Sequence, residues 1–278
     1  MNGERLAVNG VVQGRPVYRL LLTVHAFVLA TSVPLTAQIQ DNSFLIEEAY
    51  NQERGVVQHI STLARPTEEN AWSYNFTQEW PLGGIRHQLS YTIPVQNDAD
   101  GTGLGDIGLN YRYQLLGNPE AAVVFAPRVS LVLPTGSHER GRGTGAVGFQ
   151  ANLPLSLVVS PELVTHWNAG ATVTPSAKDP GGREATTASF NLGGSAIWLL
   201  HPSVNLMMEG VWLRTEAVGV DGTESDEALL LNPGLRGALN LANLQIVPGI
   251  AYTFDVGSGS GEDALFVYLS FEHPFLSQ

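Results

Sequence analysis

Residues 243–255 read NLQIVPGIAYTFD, and this stretch decides the fold. Large apolar residues alternate along it with small or polar residues. One face carries Leu244, Ile246, Ile250, Tyr252 and Phe254, and the other carries Asn243, Gln245, Gly249, Ala251, Thr253 and Asp255. Because successive side chains of a strand point to opposite faces, a period of two predicts a β-strand with one apolar and one polar face.

The same alternation recurs from residue 56 onward, for example in residues 147–159 and 186–200. Its second face is built of Gly, Ser, Thr, Asn and Gln with few charges. A soluble β-sandwich would place many Lys and Glu residues on that outer face. A transmembrane barrel instead turns its apolar face to lipid and its polar face to the lumen. The pattern therefore predicts an all-β, antiparallel, up-and-down transmembrane barrel.

Composition excludes several other classes of protein. The chain has 278 residues, of which 14% are charged, with a formal net charge of −12 and no cysteine. The low charge content argues against a disordered chain, and the acidic balance argues against a nucleic-acid partner. Without cysteine there is no disulfide framework, thiolate metal site or cysteine nucleophile. We expect no cofactor and no metal site.

Connections between the predicted strands alternate in length, as they do in outer-membrane barrels. This alternation predicts about twelve strands with both termini on the periplasmic side. The candidate tight turns are Pro81–Gly84, Gly117–Pro119, Ser160-Pro161, His201-Pro202 and Leu241-Ala242. The candidate longer loops are Pro66–Asn70, Gln96–Leu104, Thr135–Thr144, Pro175–Glu184, Ala217–Asp226 and Gly257–Glu262.

The N-terminus divides into two parts before the barrel. Arg15 and Arg19 precede an apolar run that ends near Ala37, which predicts a cleaved signal peptide over residues 1–37. A transmembrane anchor is the alternative, but the run is short and contains Pro34. We expect residues 38–55 to form a periplasmic N-terminal segment. It either folds into the lumen as a plug or gate, or remains a short tail, or adds to the first strand. The barrel is predicted to span residues 56–278.

Two short motifs carry a family resemblance. Gly103-Leu104-Gly105-Asp106 starts the strand 108–113, and residues 127–136 read PRVSLVLPTG. Together they resemble the outer-membrane barrel family named after the meta pathway of phenol degradation, over most of the mature chain. The resemblance implies an outer-membrane barrel associated with passage of small molecules.

Other short motifs match cofactor-binding or catalytic sites, but their predicted structural surroundings do not fit such sites. Residues 103–108 match the dinucleotide-binding fingerprint, but that site needs a following helix, whereas here a strand follows. We expect these glycines to permit a bend or bulge instead. The histidines are scattered over loops, turns and strands, so we expect no catalytic residue and no enzymatic activity.

Several charged and aromatic residues fall on the lumen side of the alternation. A charge facing lipid is costly, so these charges should face inward and find partners. Either they line a constriction that orients polar or aromatic carboxylate solutes, centred on Arg112, Arg128 and Arg236, or they pair to fill and rigidify the lumen. The candidates are Glu79, Asp106, Arg112, Arg128, Glu209, Arg236, Phe266, Tyr268 and Glu272.

These features predict a protein of the bacterial outer membrane. We expect a narrow channel or transport-related barrel for small, including aromatic, solutes. The alternatives are a non-transporting structural or surface-binding barrel and, third, a membrane-embedded hydrolase. The expected partners are outer-membrane lipid and lipopolysaccharide, the barrel-assembly machinery that reads the aromatic last strand, and small-molecule solutes.

Overall fold

A computed structural model describes residues 43–241, 243–257 and 262–275, which form one closed antiparallel sheet. The predicted signal peptide over residues 1–37 and the start of the N-terminal segment lie outside these residues. The strand segments are β1 (Val56–Pro66), β2 (Trp72–Pro81), β3 (His87–Asp98), β4 (Gly101–Leu104), β5 (Ile107–Tyr113), β6 (Val123–Phe125), β7 (Arg128–Leu133), β8 (Gly148–Asn152), β9 (Leu155–Ser160), β10 (Leu163–Lys178), β11 (Glu184–His201), β12 (Val204–Gly219), β13 (Gly222–Gly237), β14 (Leu239–Leu241), β15 (Leu244–Asp255) and β16 (Ala264–Pro274).

These segments make twelve barrel strands, because four strands are each interrupted once. The interrupted strands are β4 with β5, β6 with β7, β8 with β9, and β13 with β14. Two of the interruptions fall at Pro127 and Pro154, which have no N–H group to donate to a neighbouring strand. Pairing of β1 with both β2 and β16 closes the barrel. The predicted twelve-strand antiparallel barrel is confirmed.

The two faces of the wall are those that the alternation predicted. On β16, Leu265, Val267 and Leu269 are exposed, whereas Phe266 and Tyr268 between them are buried. Exposed apolar side chains recur in this way around the outside of the barrel, which gives it a continuous apolar belt. Such a belt is stable only against lipid. Among the described residues, no helix is both long and apolar enough to cross a membrane.

Two of the predicted outer loops are hairpins, whereas the predicted loops 66–70 and 135–144 lie in connections between strands. Strands β12 and β13 remain paired from Val204↔Gly237 to Gly219↔Gly222, so most of the predicted loop 217–226 is a hairpin. The predicted loop 96–104 is likewise a tight hairpin between β3 and β4. Beyond the bilayer a strand needs no apolar face, so polar composition does not distinguish strand from loop there. Among the fully described outer connections the longest is residues 134–147, which contain a 3₁₀ turn at His138–Arg140.

Candidate functional site

Residues 43–52, here named the luminal segment, lie inside the barrel. Seven of these ten residues are buried, although none belongs to a strand. The segment follows the lumen down to a turn in which the Val56 N–H donates to the Glu53 carbonyl oxygen at 3.1 Å, and β1 begins there. A buried backbone N–H is costly without an acceptor, and the inward side chains of the wall supply the acceptors.

Glu209 on β12 holds the upstream end of the luminal segment. Its Oε1 atom accepts hydrogen bonds from three consecutive backbone N–H groups, those of Phe44, Leu45 and Ile46, at 3.0, 3.0 and 3.2 Å. Asn232 donates to the other carboxylate oxygen at 2.6 Å. A carboxylate is a strong acceptor for such a run of backbone donors, so Glu209 fixes the conformation as well as the position of the segment.

The Phe44 side chain fills an aromatic pocket in the wall. Its ring centroid lies 5.7 Å from that of Phe266 and 5.4 Å from that of Tyr268. Beside these rings the wall carries Gly249 on β15 and Gly234 on β13, and a Cβ at either position would collide with the Phe44 ring. The absence of side chains at these two glycines therefore creates the space for Phe44.

Glu47 bonds to two arginines that are neighbours on the wall. Its carboxylate accepts hydrogen bonds from Arg128 Nε at 3.0 and 2.9 Å, from Arg112 at 3.2 Å and from Asn152 at 2.7 Å. Asn168 holds the backbone at the same residue, since its Oδ1 accepts the Glu47 N–H and its Nδ2 donates to the Glu47 carbonyl oxygen. Arg112 is almost fully buried and also donates to the carbonyl oxygens of Glu48 and Tyr50.

The downstream end of the luminal segment is held by amide and hydroxyl groups. Ser156 Oγ accepts the Ala49 N–H at 2.8 Å and lies 2.7 Å from His166 Nδ1. The remaining acceptors are glutamines at the end of the barrel where β1 begins and β16 ends, here named the turn end. Gln114 accepts the Asn51 N–H at 3.1 Å, Gln88 accepts the Gln52 N–H at 2.7 Å, and Gln58 accepts the Gln52 side-chain amide at 2.5 Å.

A cavity of about 400 Å³ remains between the luminal segment and the wall formed by β1 to β8. Its lining includes hydroxyl and amide groups, among them Thr62, Ser90 and Asn110, together with apolar side chains such as Leu45 and Val132. Arg112, Arg128, Glu47, Ile60 and Tyr268 also reach it. This cavity therefore offers a solute charged groups, hydroxyl and amide groups, and apolar side chains together.

Eight of the nine predicted lumen residues fall into three groups in the structure, and the ninth, Asp106, contacts the outer loop. Glu79, Arg112, Arg128, Glu209, Phe266 and Tyr268 come together around the luminal segment. Arg236 is buried on β13, across the barrel from the neighbouring Arg112 and Arg128. Glu272 lies near the turn end, where it is opposite Gln58 and Gln245. That these residues govern solute passage stays a prediction.

Asp106 anchors the outer loop 134–147. Its Oδ1 accepts the Gly136 N–H at 2.9 Å, and its Oδ2 accepts the Thr144 N–H and hydroxyl at 2.7 and 2.9 Å. Within the loop, Arg142 makes a bidentate ion pair with Asp98 at 3.0 and 2.7 Å. The two motifs that carry the family resemblance thus meet in space, and a Cβ on Gly136 would collide with the Arg142 backbone.

Sequence reasoning missed the residues of the luminal segment that make these contacts. Glu47, Asn51 and Gln52 supply the groups that satisfy the inward arginines and glutamines. The signal was present, because residues 47–52 read EEAYNQ beside a wall predicted to carry inward arginines. A segment without periodicity, however, provides no register against the wall.

The closed twelve-strand barrel, its apolar belt and its polar lumen define an outer-membrane β-barrel of the architecture found in channels. No family model matches the chain, and no curated protein matches it either.

Solved structures with this architecture include an outer-membrane channel of Pseudomonas putida F1. Its TM-score is 0.58 at 14% identity, over 81% of this chain and 97% of that chain. The NanC porin follows with a TM-score of 0.49 at 8% identity, over 78% of this chain and 98% of that chain. The KdgM porin has a TM-score of 0.48 at 10% identity, over 80% of this chain and 99% of that chain. At this identity the likeness to the Pseudomonas channel shows a shared fold.

Proposed function

We propose that the protein is a narrow outer-membrane channel for small solutes and that the luminal segment is its plug. One observation carries this proposal: at seven of its ten residues, the backbone N–H of the segment donates to an inward side chain of the wall. A barrel of twelve strands is wider than the eight-stranded barrels that side chains alone can fill, so withdrawal of the segment would leave a narrow polar passage.

The manner of attachment supports reversible closure. The luminal segment pairs with no strand, so withdrawing it breaks no bond of the barrel sheet. Its N–H groups and the wall side chains would exchange their mutual hydrogen bonds for bonds to water, which makes the net cost of each small. The turn before β1 gives the segment an exit at the turn end of the barrel, which the short connections assign to the periplasm.

A reversible disulfide tests the plug directly, because the natural chain has no cysteine. The Oγ atoms of Ser43 and Ser195 lie 2.7 Å apart, so the two side chains point at each other. Cysteines at these positions need only a small further approach to reach the S–S bond length of about 2.05 Å. The double variant Ser43→Cys with Ser195→Cys would lock the segment to β11 when oxidised. Conductance is measured in planar bilayers before and after addition of dithiothreitol, with Ser195→Cys alone as the control.

We expect the oxidised double variant to conduct far less than wild type and to recover when reduced, while the control is insensitive to reductant. Deletion of residues 38–55 should give a constantly open channel. Equal conductance of the oxidised and reduced forms would refute the plug. A correctly folded deletion variant that passes no ions would refute the channel and favour the non-transporting barrel.

The proposal extends to the class of solute and to the partners of the barrel. The resemblance to the phenol-degradation family favours aromatic solutes, and Tyr268 together with Phe44 gives the cavity an aromatic wall. We propose transport and not catalysis, since the Ser156 oxygen beside His166 is taken up by the Ala49 N–H. Lipopolysaccharide around the belt and the barrel-assembly machinery at insertion are proposed partners on the same footing.

A further inference from the structure

We propose that Arg112 and Arg128 form a binding site for the carboxylate of a small organic acid, and that Glu47 occupies this site in the closed channel. The inference rests on the proposed channel function and names a substrate class for it. It also gives opening a cause, since a solute carboxylate that takes the place of Glu47 releases the centre of the luminal segment.

The two arginines form an anion site because of their register. Arg112 on β5 and Arg128 on β7 are direct cross-strand partners, and both side chains point into the lumen. Like charges in directly opposed positions destabilise a sheet unless an anion lies between them. Glu47 is that anion, and it bonds to both guanidinium groups at once.

The other carboxylates nearby are less well placed to fill this role. Glu48 and Glu79 approach Arg112 at 3.7 and 3.6 Å, which is longer than the Glu47 bond of 3.2 Å. Arg128 makes its ion pair with Glu47, at 2.9 Å, and its NH1 atom donates to Asn110 and Ser130. When Glu47 leaves, Arg128 therefore faces hydroxyl and amide groups, and an incoming carboxylate restores its ion pair.

The lumen gives a solute access to this site. The cavity of about 400 Å³ is lined by both arginines and by Glu47, so a solute reaches the guanidinium groups beside the carboxylate that it replaces. The rest of the lining combines hydroxyl groups and the carboxylates of Glu48, Glu79 and Asp106 with apolar groups. The apolar groups include Ile60 and Tyr268, which suit the short carbon body of an organic acid. When a solute carboxylate replaces that of Glu47, the charge between the two arginines is unchanged. The difference is that the solute is not covalently attached to the luminal segment, so the segment is no longer held there.

Binding of benzoate to the purified full-length protein tests this site without relying on conductance. Calorimetry in detergent compares wild type, Glu47→Ala, Glu47→Ala with Arg128→Gln, and the matched control Glu48→Ala. Glu47→Gln repeats the comparison with the shape of the side chain retained. Benzyl alcohol serves as the neutral counterpart of benzoate for every variant.

We expect Glu47→Ala to bind benzoate at least about tenfold more tightly than wild type, as the gain of a charge-assisted hydrogen bond predicts. Glu47→Gln should show a smaller gain, Glu48→Ala little gain, and Arg128→Gln should abolish the effect. Benzyl alcohol should bind all variants alike.

Three results would overturn the proposal: no gain in Glu47→Ala and in Glu47→Gln, an equal gain in Glu48→Ala, or an equal gain for benzyl alcohol. The disulfide experiment separates this failure from failure of the channel. If the lock controls conductance but benzoate binding is unchanged by Glu47→Ala, the channel stands and the carboxylate site is refuted. If benzoate binds as expected but no variant conducts, the site stands without a channel.

Discussion

Gly249→Ala should open the channel by expelling one aromatic ring. The new methyl group would lie 2.6 Å from Phe44 Cζ, well inside van der Waals contact. Gly249 is paired on both sides, with Arg236 and Tyr268, so the wall backbone resists movement. Phe44 belongs to an unpaired segment and is only 8% exposed, so we expect the ring to be the group that moves.

The size of the effect follows from the burial of Phe44. Exposing a buried phenylalanine side chain costs about 2 kcal/mol, which changes an equilibrium about 30-fold. The probability that the channel is open should therefore rise by about that factor in single-channel recordings. Phe44→Ala should open the channel similarly, and the double variant should add little, since both changes act through the same contact.

Gly210→Ala is the matched control. Gly210 faces outward on β12, where a Cβ would lie 3.6 Å from Leu231, an ordinary contact. The refuting result is a Gly249→Ala channel as closed as wild type, with hydrogen exchange at Phe44, Leu45 and Ile46 unchanged. That result would mean that the wall accommodates the methyl group and that Phe44 does not hold the plug.

Ile250→Arg, near the middle of the apolar belt, should lower the free energy of unfolding in lipid vesicles by about 2–4 kcal/mol, whereas Val220→Arg at the tip of the β12–β13 hairpin should change it by less than about 0.5 kcal/mol. Asp106→Ala should speed hydrogen exchange in the outer loop 134–147 by the loss of about 1–3 kcal/mol of local stability, with little change in the barrel. Partial burial favours the neutral form of Asp179, but hydrogen bonds from Arg183 outweigh it and hold the pKa of that carboxyl below its ordinary value. The stability that this pair gives its turn is therefore present above the ordinary pKa of an aspartate, and it is lost as the pH falls through the lowered pKa of Asp179. Arg183→Gln should return the Asp179 pKa measured by NMR toward the ordinary value.

Each of these predictions has a contradicting result. Equal stability of Ile250→Arg and Val220→Arg would mean that the belt does not face lipid. Unchanged exchange in the loop after Asp106→Ala would mean that its other contacts suffice. An Asp179 pKa that is the same in wild type and Arg183→Gln would remove the assigned cause.

The wall of the barrel could be predicted from the sequence because its two faces meet different solvents. Lipid on one side and a polar lumen on the other impose a period of two, which places Ile250 outward and Gly249 inward with no further information. The interruptions at Pro127 and Pro154 were not predicted, since the alternation of faces continues through them. Neighbouring backbone bonds continue too, as the Tyr113 N–H donates to the Pro127 carbonyl oxygen at 3.0 Å.

Only the wall residues of the candidate site could be predicted, and not the residues of the luminal segment that contact them. The inward positions of Arg112 and Arg128 follow from the strand pattern, but the partner Glu47 does not. Phe44 and the Glu209 carboxylate that holds it are 165 residues apart in the chain. Contacts of that separation outside a sheet depend on the shape of the finished lumen, which no local pattern records.

The same separation bears on the order in which the protein is assembled. The luminal segment precedes β1, and β1 completes the wall by pairing with β16, at the other end of the chain. The groups that receive the segment come from strands throughout the sequence, including β5, β10 and β12. Residues translated near the start are therefore among the last to reach their final positions, because loop-closure entropy opposes their contacts until β1 has paired with β16. A newly inserted barrel should pass through an open stage, and the outer membrane would be leaky for as long as the segment takes to find its seat.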